Sequence, residues 1–357
     1  MLNVTKSFLP PLDEYIKKLE GLWKSHWLTN NGILVQELEE KLKAYLGVKN
    51  LLFTGNGTVV LQMALKALGE TGEIITTPFS YVATTNAIIW EGFTPVFVDI
   101  NPIDFCIDAD KIESAITKKT VAIMATHVYG NPCNVEKIQL IADKYGLKVI
   151  YDAAHAFGVT YKGKQLLSYG DISTCSFHAT KVFHTVEGGS IFCKDDILFE
   201  KLFLYRQFGH VGDDYFSVGI NGKNSEFHAA MGLCNLPYID KIILKRKKVC
   251  EWYNSRLSDE IFQKPVALPG TIYNYAYYPI ILPDEKALLL VKDKLASEKI
   301  FARRYFYPSL NELPFFKGRE ACPVSENISK RSLSLPLSTE MDETDVDTIS
   351  RLIIKSI

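Results

Sequence analysis

What this 357-residue chain lacks narrows it first. No apolar run reaches the ~20 residues that cross a bilayer, so no membrane partner is expected. Residues 1–12 hold no basic segment leading into an apolar run, so no secretory leader is expected either. No sign of charge dominates. Lys plus Arg number 40 and Asp plus Glu 41, which leaves no net field to draw in nucleic acid or an acidic membrane. Cysteines are few and scattered, at 106, 133, 175, 193, 234, 250 and 322. No Cys-x-x-Cys pair occurs, which argues against a zinc or redox centre and for reduced thiols in a cytoplasm. The histidines are not spaced with acids as metal ligands are, so no metal is expected. Repeats and low-complexity linkers are missing too.

What is present is ordinary in bulk and regular in pattern. Apolar residues make up 47% and charged residues 23%, as in a soluble globular protein. The length fits a large domain with a smaller one. Residues 34–45 carry apolar side chains at helical spacing. Strands are then predicted at 50–54, 73–77, 95–100, 120–125 and 147–151. Helices are predicted between them at 58–68, 81–90, 109–117 and 135–145. This alternation predicts an α/β fold with a mostly parallel sheet covered on both faces. Short strands follow at 173–178 and 189–193, then helices at 226–233 and 241–257. Beyond residue 274 the order changes to strand 277–282, helix 285–297, strand 301–307 and helix 343–355. That mixture predicts a small α+β domain, giving 1–240 as the large domain and 241–357 as the small one.

In an open parallel sheet, ligands collect where strands end. After the first strand comes Gly55-Asn-Gly-Thr58, opening a helix. Such a start lets backbone N–H groups approach a phosphate, although a plain helix cap looks the same. It is not a dinucleotide fingerprint, because the third glycine is missing and no acid ends the next strand. Tyr81 follows the second strand and suits the face of a planar ligand, or equally a core aromatic. Asp152 follows a buried apolar strand, where a carboxylate needs a cationic or polar partner. Such a partner could be the protonated ring nitrogen of pyridoxal phosphate; a helix cap is the other reading. Lys181 ends the segment Ser173-Thr-Cys-Ser-Phe-His-Ala-Thr-Lys181. A lysine desolvated there is a nucleophile for carbonyls; in isolation it also reads as a surface lysine. Ser176 and Thr180 are candidate phosphate donors, and the Gly188-Gly189 pair lets backbone pass close to a cofactor.

The order 57–58, 81, 152, 181 is that of fold-type I pyridoxal-phosphate enzymes. Over nearly its whole length the chain resembles the DegT-type nucleotide-sugar aminotransferases. The resemblance rests on Trp27-Leu-Thr-Asn-Asn-Gly32, Gly55-Asn-Gly-Thr58, Thr77-Pro-Phe-Ser-Tyr-Val-Ala-Thr84 and Thr126-His-Val-Tyr-Gly130. It continues in Tyr151-Asp-Ala-Ala-His-Ala-Phe-Gly158, Tyr169-Gly-Asp-Ile172, Ser176-Phe-His-Ala-Thr-Lys181 and Glu187-Gly-Gly189. It implies that Lys181 carries the cofactor as a Schiff base, Asp152 meets the pyridine nitrogen and His155 sits near the phenolic oxygen. It further implies that Tyr81 stacks on the ring and that Gly57, Thr58 and Ser176 hold the phosphate. The family's G-Y-N-Y-R loop corresponds to Gly219-Ile-Asn-Gly-Lys223. Asn221 there implies a contact with a partner subunit's phosphate, hence a homodimer with shared sites. Lys223 replaces the loop's arginine and lacks its bidentate fork, so whether it takes over a carboxylate-binding role stays open.

The resemblance implies transfer of an amino group from glutamate to a nucleotide-linked, dTDP-type 4-keto-6-deoxyhexose. A 3-keto substrate stays open. A dehydratase on the same fold is disfavoured by Lys181, since family members of that type have histidine there. A regulatory module is disfavoured because Lys181 and Asp152 are both retained. Arg303 and its neighbours are candidates for substrate contact by family analogy, and the basic run 245–248 reads as a solvated helix face.

Overall fold

The computed structural model describes residues 1–69, 71–316 and 320–357. Its centre is a seven-stranded sheet. The strands are β1 (Asn50–Thr54), β2 (Glu73–Thr76), β3 (Thr94–Phe97), β4 (Thr120–Thr126), β5 (Lys148–Asp152), β6 (Ile172–Ser176) and β7 (Gly189–Cys193). Their spatial order is β1-β7-β6-β5-β4-β2-β3. All neighbours pair in parallel except β7, which is antiparallel to both β1 and β6.

Side chains of successive strand residues go to opposite faces, so each strand feeds two cores. Leu51, Phe53, Ile123, Ala125, Val149 and Tyr151 pack on one side; Leu52, Ala122, Met124 and Ile150 pack on the other. Strands buried on both faces favour continuous apolar runs, and residues 51–53 and 121–125 are written that way. The helices that cover them include α1 (Leu12–Ser25), α2 (Ile33–Leu46), α3 (Gly57–Leu68), α4 (Val82–Trp90), α5 (Val135–Tyr145), α6 (Asp196–Arg206) and α7 (Glu226–Asn235).

A further helix, α8 (Ile239–Arg256), carries the chain onward. Its first turns, Ile239 and Ile242, pack on the large core, and Val249, Cys250 and Tyr253 pack in a separate one. That second core lies between α8, the antiparallel pair β8 (Tyr278–Ile281) and β9 (Ser332–Leu335), and the helices α9 (Glu285–Ser297) and α11 (Glu343–Ile354). Helix α10 (Pro323–Arg331) leads into β9.

Several expected elements differ. The strand predicted at 301–307 is only Ile300–Phe301; beyond it Arg303 makes a single bridge to Ser334 and the chain turns inward. Aromatic residues that read as strand formers, Tyr305 and Phe306, instead pack beside His155 and Tyr277. The helix expected at 109–117 is one turn, Ala109–Ile112, extended by a 3-10 turn through Ala115. The strand expected at 95–100 is Thr94–Phe97. Helices α6 and α10 were not expected. The apolar residues of α6 lie on several faces rather than one stripe, so its sequence shows no clean helical period. Among the described residues, no helix is long and apolar enough to cross a membrane.

Candidate active site

The strand register brings the chemistry to one edge. Thr126 pairs with Asp152, and Asp152 with Thr174, at the C-terminal ends of β4, β5 and β6. Antiparallel β7 begins at that same edge, with Gly189 opposite both Thr54 and Ser176. A Cβ on Gly189 would lie 2.5 Å from the Asn56 carbonyl oxygen, so glycine is what lets β7 start beside the opening of α3.

A cavity of about 330 Å³ lies there, within the size range of small-molecule sites. Seven of the predicted site residues line it: Gly57, Thr58, Tyr81, Asp152, His155, Ser176 and Lys181. Asn221 does not. It is exposed on the surface, where its backbone bridges Gln207.

At one end is the start of α3. The Asn56 side chain accepts from the N–H groups of Thr58 (3.0 Å) and Val59 (2.9 Å), so two of the helix's free donors are already used. The Gly57 N–H and the Thr58 hydroxyl remain, beside Ser176 Oγ. A Cβ at Gly57 would meet Ser176 Cβ at 2.9 Å. This pocket of small residues at the positive end of a helix suits a phosphate.

At the other end is Asp152, 5% exposed. Its Oδ1 accepts from Ala154 N–H at 3.1 Å and its Oδ2 from the Thr84 hydroxyl at 2.5 Å. His155 is buried next to it. Burial, reinforced by the charge of Lys181, holds its imidazole well below the usual value near 6.5, so the ring is neutral at pH 7. Its Nδ1 is buried with no hydrogen-bond partner among the described residues. Its backbone carbonyl is held by Asn274, which donates to His155 O at 2.8 Å and Phe157 O at 2.9 Å. The ring lies parallel to Phe306 and edge-on to Tyr277, both from the segment after residue 274.

Lys181 is half-buried at the cavity wall, and its amine makes no ion pair or hydrogen bond with a described residue. Tyr81, the residue before α4, is 60% exposed, leaving its ring open to a planar ligand. The residues fit pyridoxal phosphate: a free amine for its aldehyde, a fixed carboxylate for its ring nitrogen, an unpartnered imidazole and a cradle for its phosphate. Sequence reasoning missed Thr84, Asn274 and Tyr277; Phe306 lies in the segment after Arg303 that it offered for substrate contact. Thr84 had a signal, a hydroxyl one helical turn after Ser80. The others come from distant chain and carried none.

Fold and cavity together define an α/β enzyme of the pyridoxal-phosphate aminotransferase type. The chain belongs to the DegT/DnrJ/EryC1/StrS aminotransferase family, whose model matches residues 12–353. A relative from Shigella dysenteriae, dTDP-4-amino-4,6-dideoxy-D-glucose transaminase, is 42% identical over 97% of this chain and 96% of its own length. GDP-perosamine synthase of Vibrio cholerae is 32% identical over 92% of each chain. Among solved structures, DesI, determined in the presence of its TDP-sugar product, superposes with a TM-score of 0.94 at 31% identity. It covers 99% of this chain, which spans 93% of DesI. The expected fold class and aminotransferase chemistry are thereby borne out.

Proposed function

We propose that the chain transfers an amino group from glutamate to a dTDP-linked 4-keto-6-deoxyhexose, giving a 4-amino-4,6-dideoxy sugar. The observation that carries the chemistry is the free amine of Lys181 and the anchored carboxylate of Asp152 on one cavity. The choice of sugar rests on the 42% identity to the Shigella dysenteriae transaminase.

Pyridoxal phosphate, when bound, supplies the aldehyde that carries the amino group and a ring that takes up electrons. Lys181 would hold the cofactor through its aldehyde carbon, and its freed amine would take the proton from the donor's Cα and deliver it to that same aldehyde carbon. Asp152 keeps the ring nitrogen protonated. Neutral His155 offers a hydrogen bond beside the ring without adding charge. Gly57, Thr58 and Ser176 hold the phosphate, and Tyr81 covers a ring face. Glutamate leaves as 2-oxoglutarate, and the retained amino group passes to the sugar's carbonyl carbon.

Arg303 lines the same cavity, with its guanidinium 5.1 Å from the Tyr305 ring and no carboxylate partner among the described residues. It is the anchor for an anionic group of either substrate. A homodimer completes the site. Asn221 lies outside its own cavity, near exposed Phe216, Val218 and Ile220, a surface suited to a second copy whose phosphate Asn221 then reaches. The compartment is the cytoplasm, in keeping with seven free buried cysteines.

The test is to incubate the enzyme with pyridoxal phosphate, glutamate and dTDP-4-keto-6-deoxyglucose, following both products by mass. The expected result is amino sugar and 2-oxoglutarate in equal amounts. A sugar that has lost a hydroxyl, with no 2-oxoglutarate formed, would establish a dehydratase instead.

A further inference from the structure

Asp152 is the end of a chain of buried hydroxyls. Thr84 Oγ1 lies 2.5 Å from Asp152 Oδ2 and 2.8 Å from Ser80 Oγ, and Ser80 Oγ lies 3.1 Å from Thr126 Oγ1. Thr84 is 0%, Ser80 1% and Thr126 3% exposed, so water does not compete for these bonds. The partners come from three places: α4, the loop before it, and the end of β4.

Between two hydroxyls either oxygen can donate. The carboxylate removes that freedom, because an ionised Asp152 only accepts and each hydroxyl has one proton. Thr84 gives its proton to Asp152 and must accept from Ser80. Ser80 must then accept from Thr126. All the donors point one way, toward the carboxylate, and successive hydrogen bonds polarise one another in the same sense. The last bond is short, as charge-assisted O–H donors to carboxylates are.

We propose that Thr126, Ser80 and Thr84 form a directional relay that positions Asp152, with Thr84 as the key positioning residue. The relay holds the carboxylate in one orientation toward the cofactor's ring nitrogen, which rests on the reading of Asp152 given above. Thr84 touches Asp152 and acts through it. Without Thr84's hydroxyl, Asp152 keeps the Ala154 N–H alone among the described residues and is freer to rotate. The ring nitrogen then holds its proton less firmly and the ring draws electrons less strongly. The nitrogen joined to Lys181 becomes more basic in consequence.

The experiment compares holoenzymes of wild type, Thr84→Val, Thr84→Ser, Thr85→Val and Asp152→Asn. Thr85 is the control: it is the next residue, equally buried, and its hydroxyl has no partner among the described residues. The readouts are the pH titration of the bound cofactor's visible absorbance, cofactor retention on dialysis, and kcat and KM for each half-reaction. Thr84→Val is expected to move the spectral titration to higher pH. It should also lower kcat roughly tenfold in both half-reactions with little change in KM, as fits loss of one hydrogen bond to a charged group. Thr84→Ser should restore both, and Thr85→Val should match wild type. Should Thr84→Val fold poorly, Thr126→Val tests the far end of the relay and is expected to shift the same titration by less. A Thr84→Val enzyme that melts lower but titrates like wild type would reduce Thr84 to a packing role and overturn the proposal. If Asp152→Asn itself leaves the titration in place, the reading of Asp152 fails instead. If Asp152→Asn moves it and neither threonine variant does, the relay alone fails.

Discussion

Replacing Arg206 tests how the large domain supports the phosphate cradle. β1 is an edge of the sheet, and its outward backbone groups need partners that no strand supplies. Two charged side chains supply them. Glu39 Oε1 accepts from Phe53 N–H at 2.8 Å, and Arg206 donates to Phe53 O at 3.0 Å. The two side chains pair with each other at 2.5 Å, and Arg206 also donates to Asn31 Oδ1 at 3.2 Å. Their side chains are only 2% and 11% exposed. Arg206→Ala leaves the Glu39 charge buried without a cation, which costs about 3–5 kcal/mol. Unfolding entropy of ~2.1 cal/mol/K per residue converts that into a Tm loss of roughly 4–7 °C for a chain of this length. The effect reaches the site, because Gly222 N–H donates to Arg206 O and Gly55 N–H to Gly222 O, both at 2.9 Å. Cofactor affinity should therefore fall along with stability. Thermal melts and cofactor titration of the Arg206→Ala and Arg206→Lys proteins check this, with lysine expected to recover only part of the loss. An Arg206→Ala protein within about 1 kcal/mol of wild type would refute the reasoning.

Two further outcomes are expected. Gly57→Ala places a Cβ 2.9 Å from Ser176 Cβ, so the cradle must shift; pyridoxal phosphate binding should weaken roughly tenfold, a loss of ~1.4 kcal/mol, and the apoenzyme should melt lower as well, as cofactor titration and melting of the apoenzyme measure. Asp104 is raised by burial to about 7, so the folded state keeps a proton that the unfolded state gives up near 4. The sign follows: its stabilising effect is complete below about 4 and is lost as pH rises through 7, at no more than about 1.4 kcal/mol per pH unit. Asp104→Asn, which cannot ionise, should gain on wild type from pH 4 to 7 and hold a constant advantage above that, as read from urea midpoints at several pH values.

The large sheet was legible because its strands are buried on both faces. Segments such as 121–125 and 149–151 are apolar without interruption, and the first is followed by a helix with its own period. The site residues were legible for a related reason. Asp152 is a carboxylate at the end of such a strand, and Lys181 lies five residues beyond β6, places where burying a charge needs a chemical reason. The segment after Phe301 was not legible, because Tyr305 and Phe306 suit a strand as well as the aromatic packing beside His155 that they adopt. Helix α6 was hidden by apolar residues on several faces, and Asn274's grip on His155 by a separation of more than a hundred residues. The direction of the Thr84 chain needed coordinates, since only distances show that three hydroxyls and a carboxylate form one line.

The central claim is that Lys181 carries the cofactor. The most direct measurement is borohydride reduction of the holoenzyme, followed by digestion and peptide mass analysis of wild type and Lys181→Ala. The expected result is a pyridoxyl group fixed on Lys181 in wild type, with loss of the yellow colour, and no fixed cofactor in the variant. A pyridoxyl group on any other lysine of the wild type, or covalent cofactor retained by Lys181→Ala, would contradict the account.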